Sequence, residues 1–369
     1  MIRILHVVPS LNINSGMMSV IMNYYRSIDR TEIQFDFLYF SEMKDSHGEE
    51  IERLGGKTFF IKRPTFKPRD QKELRQFFNE HKGEYHAVHC HPIWSSIVVA
   101  KEAKRSGITH VIQHAHSTKY SEKKWSAIRN KVLICFMGFY ATEYIACNNE
   151  AMRLFGRGRV RKGRVYVLPN AIDTEKYTFD EMLRSEARAE INAMPDTIVL
   201  GNIGRLAVEK NQCFTVEVFN AFRNCFPDSK LVLVGDGPYR KQVEKRITAL
   251  GLEDKVQLTG KRRDIRRLLS GMDLFIMPSL FEGTPVSAVE ARTAGLPCLL
   301  SDTITKGVDM DGVRFLPIDE SPERWAEEAL KLAEEWKNHD RSDYDTVVEH
   351  GFDIKTEAVK LQDYYLGLG

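Results

Sequence analysis

The sequence predicts an α/β protein built from two doubly wound, parallel-sheet domains. Three observations lead there. Short apolar runs alternate with amphipathic helical stretches from end to end, which is the pattern of parallel strands covered by helices on both faces. The alternation falls into two series, separated by Pro169-Asn170-Ala171-Ile172-Asp173. A chain of 369 residues is also longer than one core of ordinary size encloses.

The strands of the first series are expected at Ile4–Val8, Phe35–Tyr39, Thr58–Ile61, Ala87–Cys90, His110–Gln113, Tyr144–Ala146 and Val165–Leu168. Each is a short apolar or β-branched run closed by polar or turn residues. Helices such as Ser19–Ser27 and Gln71–Asn79 fill the gaps. The second series is Ile198–Ile203, Lys230–Val234, Val256–Leu258, Leu274–Met277 and Cys298–Ser301, followed by a helical segment at Ile354–Leu366. The domains are read as residues 1–173 and 174–350, with 351–369 as a terminal helix. Ligands of open parallel sheets bind beyond the carboxyl ends of the strands, so the ligand is expected in the cleft between the two domains.

Composition narrows the class. With 43% hydrophobic and 28% charged residues, the chain reads as a soluble globular protein. The longest apolar candidate, Val132–Tyr140, is far short of the ~18–20 residues of a membrane span. The chain opens on a strand and carries no signal-peptide pattern. Six scattered cysteines without a C-x-x-C pair read as thiols of a reducing compartment, so a cytoplasmic location is expected. A net charge of +2 gives no overall attraction to nucleic acid. Charge is concentrated locally, in Arg153, Arg157, Arg159, Arg161, Lys162 and Arg164, and in Lys261, Arg262, Arg263, Arg266 and Arg267. These clusters are read either as solubilising surface or as sites for anionic headgroups or diphosphates.

The motif with most content is Pro278-Ser279-Leu280-Phe281-Glu282-Gly283, followed by Glu290, Ala294-Gly295 and Pro297. It places one carboxylate at a strand end and a second within the helix beginning near Val286. Between them lie Gly283, Thr284, Pro285, Val286 and Ser287, at a helix start whose N–H groups have no intrahelical partner and suit phosphate or hydroxyl oxygens. Gly204-Arg205-Leu206 with Lys210-Asn211 follows another strand, and two cations there suit a diphosphate. Val234-Gly235-Asp236-Gly237-Pro238 is a glycine turn whose role is read as structural, with ligand contact as the alternative. Asp309-Met310-Asp311 is read as a solvated turn.

Together these strings resemble family-four sugar-nucleotide transferases of the two-domain GT-B fold. The family's P-S-x-x-E-G-x6-E-A-x3-G-x-P is met at every fixed position, and G-R-L-x3-K-[NG] and V-G-x-G-P are met too. Ala171 replaces the usual glycine of P-N-G-[IV]-D. Of the family's G-G-x-E after the first strand only Gly16 is clearly kept. The opening, His6-Val7-Val8-Pro9-Ser10 with Ile28-Asp29-Arg30 and Phe35-Asp36-Phe37, looks like bacterial exopolysaccharide and capsule enzymes of the family. The resemblance implies a retaining hexosyl transfer from a nucleotide diphosphate sugar, uridine-linked, to a hydroxyl of a glycan or lipid-linked glycan. It implies no cofactor beyond the donor and no metal. It assigns Arg205 and Lys210 to the diphosphate, Gly16 and Gly204 to backbone contact with the donor, Glu282 to sugar hydroxyls and Glu290 to ribose hydroxyls. A peripheral position on an anionic inner membrane face is implied as well.

Histidines form the rival constellation. His89-Cys90-His91 and His114-Ala115-His116 are each H-x-H, and alternate residues of a strand share a face, so each pair is read as able to bind a metal. The resemblance instead brings His116, with His114 second, to the sugar. A nucleotide-sugar epimerase or a sugar phosphorylase of the same fold, a metal-dependent hydrolase and a non-enzymatic sugar-nucleotide sensor remain as alternatives.

Overall fold

The first strand, β1 (Ile2–Ser10), is apolar on both sides and its middle is buried on both. It lies inside a seven-stranded sheet with β2 (Ile33–Ser41), β3 (Thr58–Phe60), β4 (Ala87–Cys90), β5 (His110–Ala115), β6 (Glu143–Ala146) and β7 (Val165–Val167). The order is β3-β2-β1-β4-β5-β6-β7, and every pairing is parallel. The computed structural model describes residues 1–120, 124–161, 163–342 and 344–368.

A second parallel sheet holds β8 (Ile198–Ile203), β9 (Ser229–Val234), β10 (Val256–Gly260), β11 (Leu274–Met277), β12 (Cys298–Ser301) and β13 (Val313–Leu316). Its order is β10-β9-β8-β11-β12-β13. In both sheets the order turns round beside the first strand, between β1 and β4 and between β8 and β11. Loops leave neighbouring strand ends in opposite directions at such a point, which opens a crevice there. The chain forms two compact units. One is Met1–Ala171 with the segment from Ile354 onward, and the other is Ile172–Asp353.

In the first unit, Leu5, Val7, Val88, Cys90, Val111 and Tyr144 fill one face of the sheet. The opposite face carries Ile4, His6 and Phe35. The helix Ile354–Leu366 belongs to that unit and buries Tyr365 completely. Gln362 ties the helix down, accepting from the Asp29 N–H at 3.1 Å and donating to Glu32 at 2.6 Å.

Four strands depart most from expectation. β1 and β2 are longer than their apolar runs, because polar residues at the ends still complete the ladder. β5 continues to Ala115, so His114 stands inside the strand rather than at its end. β13 has no counterpart in the sequence reading. It is a four-residue edge strand interrupted by Arg314, whose guanidinium pairs with Glu328 and Glu335, each at 2.7 Å. These pairs let a charged residue occupy an outer strand.

Candidate active site

In the second unit, β8 and β11 pair only at Leu200 with Leu274 and at Gly201 with Phe275. The strands then part, and the Asn202 side chain donates to the Ile276 carbonyl at 2.7 Å in place of a ladder bond. β8 hands over to Gly204-Arg205-Leu206 at this opening. The Gly204 N–H donates to the Val234 carbonyl at 2.9 Å, and the Tyr239 N–H donates to the Leu206 carbonyl at 3.0 Å. A Cβ on Gly235 would overlap the Gly204 carbonyl, and one on Gly237 the Leu206 carbonyl. Gly235 also has φ +135°, a region that favours glycine. The glycine turn is therefore the bed on which the Arg205 loop lies.

That loop is latched to the glutamate motif. Asn211 adopts φ 56°, and its side-chain amide donates to the Pro278 carbonyl at 3.2 Å. The Leu280 N–H donates to the Glu209 carbonyl at 2.8 Å. Lys210 folds back over Gly204, with Cε 3.5 Å from the place a Cβ would take. Its ammonium is the ion-pair partner of Glu282. Arg205, largely exposed, pairs with Glu209 at 2.5 Å. Close in sequence, Glu209 is the one acid beside the two cations; the fold adds another. Glu282, distant in sequence, takes Lys210, because the latch brings the two loops together.

Glu282 is held at the mouth of the opening by a parallel bridge to Ile304. Gly283, Thr284 and Pro285 form the turn into the helix Val286–Thr293, which starts with Val286 and Ser287. Glu290, one turn in, is half-buried, and burial pushes its carboxyl up to about 7 against the opposing hydrogen bond from Tyr177 and the charge of Lys176. Tyr177 was not anticipated, since nothing in sequence ties it to Glu290. Asp309 and Asp311 are exposed in a turn.

In the first unit, Gly16 opens the helix Gly16–Ser27, with the Ser15 hydroxyl accepting from Met18 N–H. A Cβ at Gly16 would meet nothing within 4 Å, so no contact inside the chain demands glycine there. The histidines come together by register. His6 pairs with His89 on β1 and β4, and His89 with Ile112 on β5. His91, His114 and His116 follow at even steps, so all five rings share one face. His91 Nδ1 lies 2.7 Å from His116 Nε2, and His91 Nε2 lies 3.0 Å from His6 Nδ1. His89 Nε2 lies 3.1 Å from His114 Nδ1, and His89 Nδ1 lies 2.6 Å from the Tyr365 hydroxyl.

Burial, the leading cause in each case, drives these rings toward neutrality. His6 and His116 fall to about 3, and His89, His91 and His114 lie well below the ordinary histidine range. A neutral ring has one donor and one acceptor nitrogen, so each row of contacts has a direction. When the Tyr365 hydroxyl donates to His89 Nδ1, His89 Nε2 donates to His114 Nδ1 and His114 carries its proton on Nε2; when the hydroxyl accepts, the order reverses. In the other row His116 Nδ1 and His6 Nε2 are the ends, and neither has a partner among the described residues. Each H-x-H pair falls within a triple whose ligand atoms lie within 4.8 Å of one another, His89 and His91 with His6, and His114 and His116 with His91. His6 and Tyr365 were missed in sequence. The signal for His6 was its parity on a strand adjacent to β4.

Of the second basic cluster, three arginines are paired internally. Arg262 pairs with Glu190 and Asp264 at 2.6 and 2.7 Å, Arg267 pairs with the same two acids, and Arg266 reaches Asp180. In the first cluster, Lys162 and the side chains of Arg157 and Arg161 lie outside the described residues.

Comparison with known proteins places this architecture. Residues 184–345 match the family described as glycosyl transferases group 1, and residues 15–176 match glycosyltransferase family 4. EpsF of Bacillus subtilis (strain 168), named as a glycosyltransferase, is 30% identical over 98% of this chain and 96% of its own length. An Escherichia coli UDP-Gal:alpha-D-GlcNAc-diphosphoundecaprenol alpha-1,3-galactosyltransferase is 28% identical over 63% of this chain and 62% of its own length. The fold of Anabaena HepE, solved with UDP and glucose, superposes with a TM-score of 0.81 at 19% identity over the full length of both chains. The two parallel sheets, the matched regions and the full-length relative agree: the chain belongs to the family-four glycosyltransferases of the GT-B fold.

Proposed function

We propose that this glycosyltransferase moves a hexosyl unit from a uridine-diphosphate sugar to a hydroxyl of a glycan or lipid-linked glycan, with retention at the anomeric carbon, in the making of a bacterial surface polysaccharide. One observation carries the reading. Lys210 and Glu282 form an ion pair beside the point where β8 and β11 part, Arg205 stands on the Lys210 loop, and an open helix start follows Glu282 and leads to Glu290. Two cations, two carboxylates and free amides together suit a ligand that is half diphosphate and half polyol. The uridine donor is supported by the HepE complexes and by the galactosyltransferase named above, and the lipid-linked acceptor by the latter.

The chemistry breaks the bond from the anomeric carbon to the β-phosphate oxygen and makes one to the acceptor oxygen, whose proton passes to the departing diphosphate. Negative charge grows on the departing diphosphate. Arg205 and Lys210 stabilise it, an electrostatic contribution that gains from being positioned beforehand. The Glu282 ion pair and the packing over Gly204 hold Lys210 in place before the donor arrives. In the reading, Glu282 then accepts from sugar hydroxyls and Glu290 from the ribose. The backbone at Gly204 and from Gly283 to Ser287 lies against the donor. Gly16 and His116 are the residues of the first unit that the family resemblance assigns to the donor. The test is a thermal-shift series with UDP, uridine and UDP-sugars, followed by the anomeric configuration of the product. A ligand of the native state raises the apparent stability. Stabilisation by UDP and not by uridine, and a retained product, are expected. No stabilisation by any nucleotide, or an inverted product, overturns the reading.

A further inference from the structure

Histidine is costly to bury, because each ring brings two nitrogens that need partners where water is excluded. In the cluster on the first sheet, Nε2 of His6, Nε2 of His114 and Nδ1 of His116 have no partner among the described residues. Two of these atoms belong to adjacent rings. His114 near the end of β5 and His116 just beyond it stack with their centroids 3.9 Å apart. His91, just past β4, completes the group. One nitrogen from each of His91, His114 and His116 lies within 4.8 Å of those of the other two.

The contacts around this triple have the layout of an outer coordination shell. A metal-bound imidazole almost always donates its second N–H to a fixed acceptor, which sets the tautomer and the aim of the ring. With the Tyr365 hydroxyl accepting, His89 Nδ1 donates to it at 2.6 Å and His114 Nδ1 donates to His89 Nε2 at 3.1 Å. His91 Nε2 lies 3.0 Å from His6 Nδ1 in the same way. These contacts leave His91 Nδ1, His114 Nε2 and one nitrogen of His116 for an ion. His91 Nδ1 and His116 Nε2 stand 2.7 Å apart, and two nitrogens on one tetrahedral zinc stand about 3.4 Å apart, so the rings need to part by only about 0.7 Å. The triple of His6, His89 and His91 is less suited. Both nitrogens of His89 are taken, and all three rings are buried. His116 is partly exposed, which gives an ion a way in and leaves its fourth position to water. Burial keeps the three rings neutral, the form that binds metal. Imidazole suits zinc, copper and nickel, whereas magnesium and calcium take oxygen ligands.

We propose that His91, His114 and His116 form a site for one divalent transition ion of the zinc type, with His6, His89 and Tyr365 as its outer shell. The ion pins the ends of β4 and β5 together and takes no part in the transfer. The proposal therefore goes beyond the reading of the transfer site and shares only His116 with it. In the experiment the full chain is stripped with EDTA, dialysed and titrated with zinc chloride, with magnesium chloride as the control. One zinc per chain is expected, with a rise in melting temperature that magnesium does not give, because an ion that binds the native state stabilises it. Cobalt in place of zinc is expected to give the intense visible bands of a tetrahedral site, and zinc to bleach them. His114→Gln and His116→Gln are each expected to weaken zinc binding at least about tenfold. His350→Gln, on an exposed ring elsewhere, is expected to bind as the wild type does. Melting in EDTA reports whether each variant folds, and His116, being partly exposed, is the position more tolerant of change. The wild-type response to UDP, measured in EDTA, judges the donor reading separately. Failure of the wild type to hold one zinc, an octahedral cobalt spectrum, or unchanged zinc affinity in a folded His116→Gln would each overturn the proposal.

Discussion

Lys210 is positioned by a glycine on one side and a carboxylate on the other, and Arg205 by Glu209. If both cations serve one diphosphate, Arg205→Ala or Lys210→Ala is expected to slow turnover roughly 10²-fold or more. The two losses should not add, because both act on the same charge. The affinity for UDP should drop while that for uridine holds; equal weakening of both ligands would remove the diphosphate role. Glu290 makes a pH prediction. Its native value of about 7 lies above the ordinary carboxyl value of about 4.3. The native state therefore holds a proton that the unfolded chain releases between those values. The stability this group contributes is full below the unfolded value and is lost as pH rises to about 7. Binding runs the other way, since the carboxylate is the better acceptor for ribose hydroxyls. UDP affinity is expected to rise through pH 7 in the wild type and to stay flat in Glu290→Gln, as titration calorimetry at several pH values would show.

Among the elements, the Gly235–Gly237 turn and the helix Ile354–Leu366 each act on a site through another segment. The turn offers two backbone surfaces with no room for a Cβ. Gly237→Ala should push the Arg205 loop outward, costing about 1–3 kcal/mol of stability and lowering turnover while leaving Lys210 and Glu282 chemically intact. A variant with normal kinetics and lowered stability would limit the turn to packing. The helix brings the Tyr365 hydroxyl to His89. Tyr365→Phe leaves His89 Nδ1 buried and unmatched, at a cost of about 1–3 kcal/mol. It should also release the tautomers of His89 and His114 that the hydroxyl couples, which nitrogen NMR of the rings reads directly. An unchanged tautomer would mean that the strands alone orient these rings.

For the whole molecule, five clustered histidines, four buried and His116 partly so, stay neutral in the fold and shape its behaviour in acid. Their native values are depressed, so the stability they contribute is present above the unfolded value of about 6.5 and is lost as pH falls below it. Each histidine adds up to about 1.4 kcal/mol per pH unit to that slope. Denaturant unfolding across this range should show uptake of several protons, and replacement of His6 and His89 by glutamine should flatten the slope. The same rings test the need for metal. The proposed mechanism relies on Arg205 and Lys210, so activity is expected to survive a chelator. A complete loss restored by added metal, with metal bound at His91, His114 and His116, would reassign the cluster as a metal centre that the transfer needs.

Much of this was legible in the residues. Strand–helix alternation is a local property, set by periods of 2 and 3.6 and by turn chemistry, and it determined two parallel α/β domains. Motifs such as the paired glutamates and G-R-L-x3-K are also local, because each belongs to one strand end and the loop that follows it. Tertiary structure alone decided the rest. The partnership of Lys210 with Glu282 depends on Asn211 and Leu280 latching two loops that are remote in sequence. The union of His6, His89, His91, His114, His116 and Tyr365 depends on strand register and on the packing of a helix from the far end of the chain. β13 stayed hidden because its charged residue is neutralised by acids contributed by another element. The Lys124–Met137 helix shows the limit most plainly. It has an apolar stripe on either side, and periodicity cannot say which of them the core will take; only the packing of the first unit leaves Trp125 and Phe139 outside.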